Sequence, residues 1–109
     1  MPRLEKDIQL QILHYLKKIG AYCGKTKTMG VKRGRSFCFD PYLFRGFPDV
    51  TAFYKDRLIF IEVKSESGKQ SFEQILFQQS AEKAGLIYIL ARDIADVQEA
   101  IRKLFEEGK

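Results

Sequence analysis

The tripeptide Glu62-Val63-Lys64 closes an apolar run that begins at Leu58, and Gly46-Phe47-Pro48-Asp49 leads into another. Side chains two apart on a strand point to the same side, so Glu62 and Lys64 share a face while Val63 points the other way. The run from Leu58 to Ile61 is apolar on both faces, as in a central strand, and burial gives no reason for it to end in a carboxylate and an ammonium. If Asp49 to Tyr54 and Leu58 to Lys64 pair as a hairpin through Lys55-Asp56-Arg57, the start of the first run lies beside the end of the second. Asp49, Glu62 and Lys64 then meet at one sheet edge.

Two carboxylates across a gap suit a hard divalent cation such as Mg²⁺, which prefers oxygen ligands and keeps several waters that phosphate oxygens can replace. Such a cation polarises a phosphoryl group and lowers the pKa of bound water, while a neighbouring lysine orients that water or helps deprotonate it. The chemistry would be hydrolysis. An isolated E-x-K is nevertheless common and usually means a surface salt bridge at a strand end.

The elements that must hold these residues follow from periodicity. Leu4, Ile8, Ile12, Leu16 and Ile19 recur at helical spacing, with Gly20 placed as a C-terminal cap. Ala21 to Thr26 is a short strand, and Lys27 to Arg45 is a glycine-rich, basic, aromatic loop without a period. After the hairpin, Ser71 caps a helix with Phe72, Ile75, Leu76 and Gln79 on one face, ending near Gly85. Leu86 to Leu90 is a buried strand, and Asp93 caps a last helix whose Val97, Ala100, Ile101 and Leu104 share a face. The expected order is α-β-β-β-α-β-α, an α/β sheet with flanking helices.

Composition narrows the classes. The chain of 109 residues suits one domain, 1–109, and 45% hydrophobic with 30% charged residues is a folded composition, not a disordered one. The longest apolar stretches are far below the roughly 20 residues that cross a bilayer, and the start lacks a secretory pattern, so the expectation is a cytoplasmic protein with no membrane. Cys23 and Cys38 cannot build a disulfide framework, and with His14 as the one histidine a structural zinc site is not expected. Nineteen Lys plus Arg against 14 Asp plus Glu give a net charge of +5, which favours polyanionic partners.

In order along the chain, Glu5 in the first helix, Gly46-x-Pro48-Asp49, Glu62-x-Lys64, and Gln74 within Ser71-Phe72-Glu73-Gln74 resemble the motif series of the PD-(D/E)xK nuclease superfamily. The resemblance is in particular to the virus-type replication-repair nuclease (VRR-NUC) family and covers nearly the whole chain. It implies a restriction-endonuclease-like core with a mixed central sheet between helices, and Mg²⁺ or Mn²⁺ held by Asp49, Glu62 and the Val63 carbonyl. Lys64 would act on the attacking water, Gln74 would support the site from its helix, and Glu5 would contact the metal through water. On the residues alone, Glu5 is equally a first-turn acid favoured by the helix dipole, and Gln74, Gln78 or Gln79 could face inward. The motif position selects Gln74.

Lys25, Lys27, Lys32, Arg33 and Arg35 fall between Gly24 and Ser36 with no acidic residue, a pattern that follows a phosphate backbone through salt-dependent contacts. A solvated charged loop is the plainer alternative, and the segment's place just before Gly46-x-Pro48-Asp49 favours DNA. Phe37, Phe39, Tyr42, Phe44 and Phe47 are expected at a subunit interface rather than on bases. Gly20-Ala-Tyr-Cys-Gly24-Lys25-Thr26 has three residues between its glycines where a P-loop needs four, so no nucleotide cofactor is expected. His14 is a surface or packing residue.

The resulting expectation is a metal-dependent endodeoxyribonuclease acting on branched DNA such as four-way (Holliday) junctions. It would work as a symmetric homodimer, in a bacterial or phage-infected host cell. A flap-cutting monomer, an RNA-directed nuclease and a non-catalytic nucleic-acid-binding subunit are the alternatives.

Overall fold

A computed structural model describes residues 4–26 and 42–105. The elements run α1 (Glu5–Lys18), β1 (Tyr22–Lys25), β2 (Val50–Tyr54), β3 (Arg57–Val63), α2 (Phe72–Lys83), β4 (Ile87–Ala91) and α3 (Ile94–Phe105), in the order expected. The four strands form one sheet in the order β1-β2-β3-β4. β1, β2 and β3 are antiparallel neighbours, and β4 joins β3 in parallel after the α2 crossover. The sheet is mixed, and β3 lies inside it.

Alternation divides the sheet into two faces. Val50, Ala52, Ile59, Ile61, Val63, Ile87, Ile89 and Ala91 build the main core with Ile8, Ile12 and Leu16 of α1 and Val97 and Ile101 of α3. Leu4 is exposed at the N-terminal end of α1, and Leu104 is also exposed, so both apolar stripes are one residue shorter than their periodicity suggests. The opposite face carries Thr51, Phe53, Phe60, Glu62 and Tyr88, and α2 covers its β4 side. Among the described residues no helix is long and apolar enough to cross a membrane.

Local chemistry fixes the turns. Gly20 and Gly85 adopt φ of +93° and +85° after α1 and α2, where Ala21 N–H returns to Leu16 O and Leu86 N–H to Ala81 O. Each helix thus ends in a 6→1 turn that favours glycine. The β2–β3 hairpin turns through Lys55 and Asp56, both left-handed, a two-residue connection whose twist matches the strands it joins.

The inward stripe of α2 corrects the expectation for that helix. Phe72 is 73% exposed, Ile75 and Leu76 are exposed too, and the residues turned to the sheet are Gln74, Phe77, Gln78 and Ala81. Phe77 packs edge-on against Phe47 and Phe60, with ring centroids 4.9 and 5.2 Å away. Phe47 is therefore half-buried against Phe60 and Phe77, whereas Tyr42 and Phe44 are exposed, Phe44 with its ring edge-on to Phe47 and Phe77. Phe37, Phe39 and Cys38 lie outside the described residues.

Candidate active site

The hairpin register decides where the charges fall. Val50 pairs with Ile61, so Asp49 stands opposite Glu62 and shares its face. Asp49 is held from two sides. Its main-chain carbonyl accepts from Thr26 N–H at 2.8 Å, and its Oδ2 accepts from Val63 N–H at 2.8 Å. Val63, the expected carbonyl donor, is thus fastened to the first expected carboxylate by its own amide.

Glu62 is 1% exposed. Its Oε2 accepts from Gln74 Nε2 at 2.7 Å and lies 3.5 Å from Lys64 Nζ, whose side chain is 15% exposed. A buried carboxylate needs such company, since desolvation without partners costs several kcal/mol. Gln74 reaches it because α2 begins there. The Ser71 hydroxyl accepts from Gln74 N–H at 3.1 Å, and Gln74 Oε1 accepts from Ser71 N–H at 2.8 Å, which leaves the amide nitrogen to donate to Glu62. Gln78 instead accepts from Gln70 and donates to Glu82, and Gln79 is exposed.

Gly46 lets the chain pass this close to α2. It has φ of +69°, and a Cβ there would overlap the backbone of Glu73 and Gln74. The glycine of Gly46-x-Pro48-Asp49 is therefore a packing requirement between the segment that delivers Asp49 and the helix that delivers Gln74.

Glu5 closes the far side. Its Oε2 accepts from Ser65 N–H at 3.1 Å, one residue past Lys64. This tethers the first turn of α1 to the chain leaving β3. His14 is exposed on α1 and takes no part. Lys25 is exposed on edge strand β1, while Lys27, Lys32, Arg33 and Arg35 lie outside the described residues.

No family model matches the sequence, and no curated protein does. Among solved structures, a chain described as "VRR_NUC domain" superposes with a TM-score of 0.70 at 20% identity, over 93% of this chain and 97% of that one. This chain has the VRR_NUC fold.

Three residues of this VRR_NUC-type fold escaped the sequence reading. Tyr88 projects from β4 onto the site's face and accepts from Gln70 Nε2 at 3.2 Å. Burial, and then the charge of Glu62, push its phenol up to about 12. Arg92 donates to the carbonyls of Ser65 at 2.7 Å and Gly68 at 2.6 Å, gripping the loop that follows Lys64. The polar Tyr88 within an Ile/Leu strand was the available signal; Gln70 and Arg92 gave none, since their partners are backbone or distant in sequence.

The donor set fits a hard divalent cation. Among the described residues no group of three or more His, Cys, Asp and Glu could hold a metal; the Asp49 and Glu62 carboxylates, opposite each other at the paired strand ends, are oxygen donors of the kind a hard cation takes. Few protein ligands, with the remaining positions left to water or phosphate, is the pattern of Mg²⁺. Cys23 is no ligand for it, because its half-buried thiol faces Leu13 O at 3.8 Å on the other side of the sheet, and burial raises its pKa. A cavity of about 610 Å³ beside Phe44, Phe47, Leu76 and Phe77 is apolar and is not lined by Asp49, Glu62, Lys64 or Gln74.

Proposed function

We propose that the protein is a Mg²⁺- or Mn²⁺-dependent nuclease of the PD-(D/E)xK type that hydrolyses phosphodiester bonds in DNA. The observation that carries this reading is the convergence on Glu62 Oε2 of Gln74 Nε2 at 2.7 Å and Lys64 Nζ at 3.5 Å, beside Asp49 on the paired strand end. An incidental surface salt bridge does not bury its carboxylate or recruit a capping glutamine. The VRR_NUC fold supports it independently.

Asp49, Glu62 and the Val63 carbonyl would hold the cation, which when bound would supply Lewis-acid activation of the phosphate and of water. Asp49 and Val63 are locked together by the Val63 N–H bond, so both donors keep one spacing. Gln74 fixes the rotamer of Glu62 by donating to one oxygen, a preorganisation that avoids reorganisation during the reaction. Lys64 places a positive charge where the attacking water and the developing phosphorane charge must lie, and it orients that water. Glu5, bonded to Ser65 N–H, and Arg92, bonded to the Ser65 and Gly68 carbonyls, hold the main chain that carries Lys64.

The substrate proposed is branched DNA, with four-way junctions foremost, cut by a twofold dimer that presents two identical sites to two equivalent strands. The exposed Tyr42, Leu43, Phe44, Phe72 and Leu76 are the proposed contact surface, an apolar patch of the kind that marks association. The basic residues Lys25, Lys27, Lys32, Arg33 and Arg35 are the proposed DNA contacts, within one domain spanning 1–109 and acting in the cytoplasm without a nucleotide cofactor. A labelled panel of duplex, flap, fork and four-way DNA with Mg²⁺ or Mn²⁺, run beside light scattering, tests this. Preferred cutting of the four-way substrate by a species of twice the chain mass is expected; a monomer, or equal cutting of plain duplex, would contradict the junction reading.

A further inference from the structure

The half of the site's sheet face formed by β1 and β2 is covered by no described helix, because α2 reaches β4 and α1 lies on the other side. From Asp49 this face runs along β2 through Thr51 to Phe53, and along β1 the cross-strand partners of Thr51 and Phe53 are Gly24 and Tyr22. Phe53 is 52% exposed and Tyr22 79%, their rings stacked at 6.1 Å and 23°. Between the rings and Asp49, the Thr26 and Thr51 hydroxyls bond to each other at 2.6 Å. The strip forms an open depression of about 410 Å³ rimmed by Lys25.

Gly24 is informative. Its backbone is ordinary extended strand, and a Cβ would meet nothing within 4 Å, so the fold has no need of glycine there. A bare residue at a strand position usually weakens a sheet, and it leaves a flat floor beside the two rings. Two exposed stacked aromatics on the edge strand and its neighbour are likewise costly to solubility and unexplained by packing.

We infer that this strip seats an unpaired DNA base: Tyr22 and Phe53 form the stacking platform, Gly24 the floor, and the threonine hydroxyls the contacts to the strand between platform and scissile phosphate. The inference rests on the nuclease reading of Asp49 and Glu62. The strip is continuous with those carboxylates, and the chain's net charge of +5 together with Lys25 at the rim complements a polyanion rather than an apolar peptide. Phe53 lies four residue steps along the chain from Asp49, about 13 Å. A DNA strand covers that in about four nucleotides at the stacked rise of about 3.4 Å, so the base engaged lies a few nucleotides from the cut. Stacking of this kind tolerates any sequence and favours unpaired bases, which a continuous duplex does not offer.

The test is binding of a single-stranded oligonucleotide carrying 2-aminopurine, and of a fully paired duplex of equal length, both in EDTA so that nothing is cut. Wild type should quench the 2-aminopurine on binding. Gly24→Val and the Tyr22→Ala/Phe53→Ala pair should abolish the quench and weaken single-strand affinity about fivefold or more, with duplex affinity unchanged. Tyr22→Phe should behave as wild type. Single-strand binding and quenching unchanged in both blocked variants, or equal loss of duplex binding, would overturn the platform. Metal-dependent cutting of four-way DNA by wild type and Asp49→Asn reports on the carboxylates separately, so either idea can fail alone.

Discussion

Gln74 and Glu62 join the two halves of the molecule that matter most: the first turn of α2 donates a 2.7 Å hydrogen bond to a buried carboxylate on β3. The same glutamine completes the capping box with Ser71, so folding the helix end and orienting Glu62 are one event. The amide orientation follows from chemistry, because its oxygen must face the Ser71 N–H and its nitrogen the carboxylate.

Substitutions at the two ends of this link should separate. Gln74→Ala removes both a cap partner and a charge-assisted bond, and urea denaturation should show a loss of about 1–3 kcal/mol with cleavage strongly impaired. Ser71→Ala should cost about 1 kcal/mol and leave cleavage largely intact. Equal activity in the two variants would detach Gln74 from the site.

Gly46→Ala should be more damaging than any surface change. It forces a side chain into left-handed φ, a cost of about 1–2 kcal/mol, and drives a Cβ into the backbone at Glu73 and Gln74. A sharp fall in thermal midpoint with loss of cleavage is expected; a midpoint within a degree or two of wild type would contradict the packing argument.

Lys64→Ala should lose cleavage by about a hundredfold or more while keeping most DNA affinity, because one ammonium beside Glu62 serves the reaction and many cations serve binding. Charge reversal at Lys32 and Arg33 should do the opposite. Single-turnover rates and anisotropy on the same preparations decide between these outcomes.

Tyr88 gives a pH signature. Its phenol is held at about 12 in the folded chain against 10.0 ordinarily, so the neutral form is favoured by folding. That contribution is complete below about pH 10 and disappears as pH rises towards 12. Thermal midpoints in EDTA between pH 9 and 11.5 should fall more steeply for wild type than for Tyr88→Phe. Parallel curves would show that the phenol is not the titrating group.

The hairpin was legible because its two runs and short connection admit one pairing, and that pairing alone placed Asp49 opposite Glu62. α2 was legible as a helix but not in its orientation. Its apolar residues Phe72, Ile75 and Leu76 form a helical stripe, yet the helix turns Gln74 inward because Glu62 is buried and requires a donor, a demand set by another strand. The packing of Phe47 was not legible for a related reason: an aromatic in an irregular segment gives no sign of direction until Phe60 and Phe77 are brought beside it. Arg92 and Gln70 act on groups far away in sequence, which periodicity does not encode.

The most direct test of the account is the cleavage rate of a labelled four-way DNA by wild type and Asp49→Asn under Mg²⁺. Asparagine can still accept from Val63 N–H, so the strand ends should stay in place while a metal-binding charge is lost. Wild type should cut, cutting should vanish after EDTA, and Asp49→Asn should be slower by at least about a hundredfold. Undiminished cutting in EDTA or by Asp49→Asn, or no cutting by wild type with either Mg²⁺ or Mn²⁺, would contradict the account.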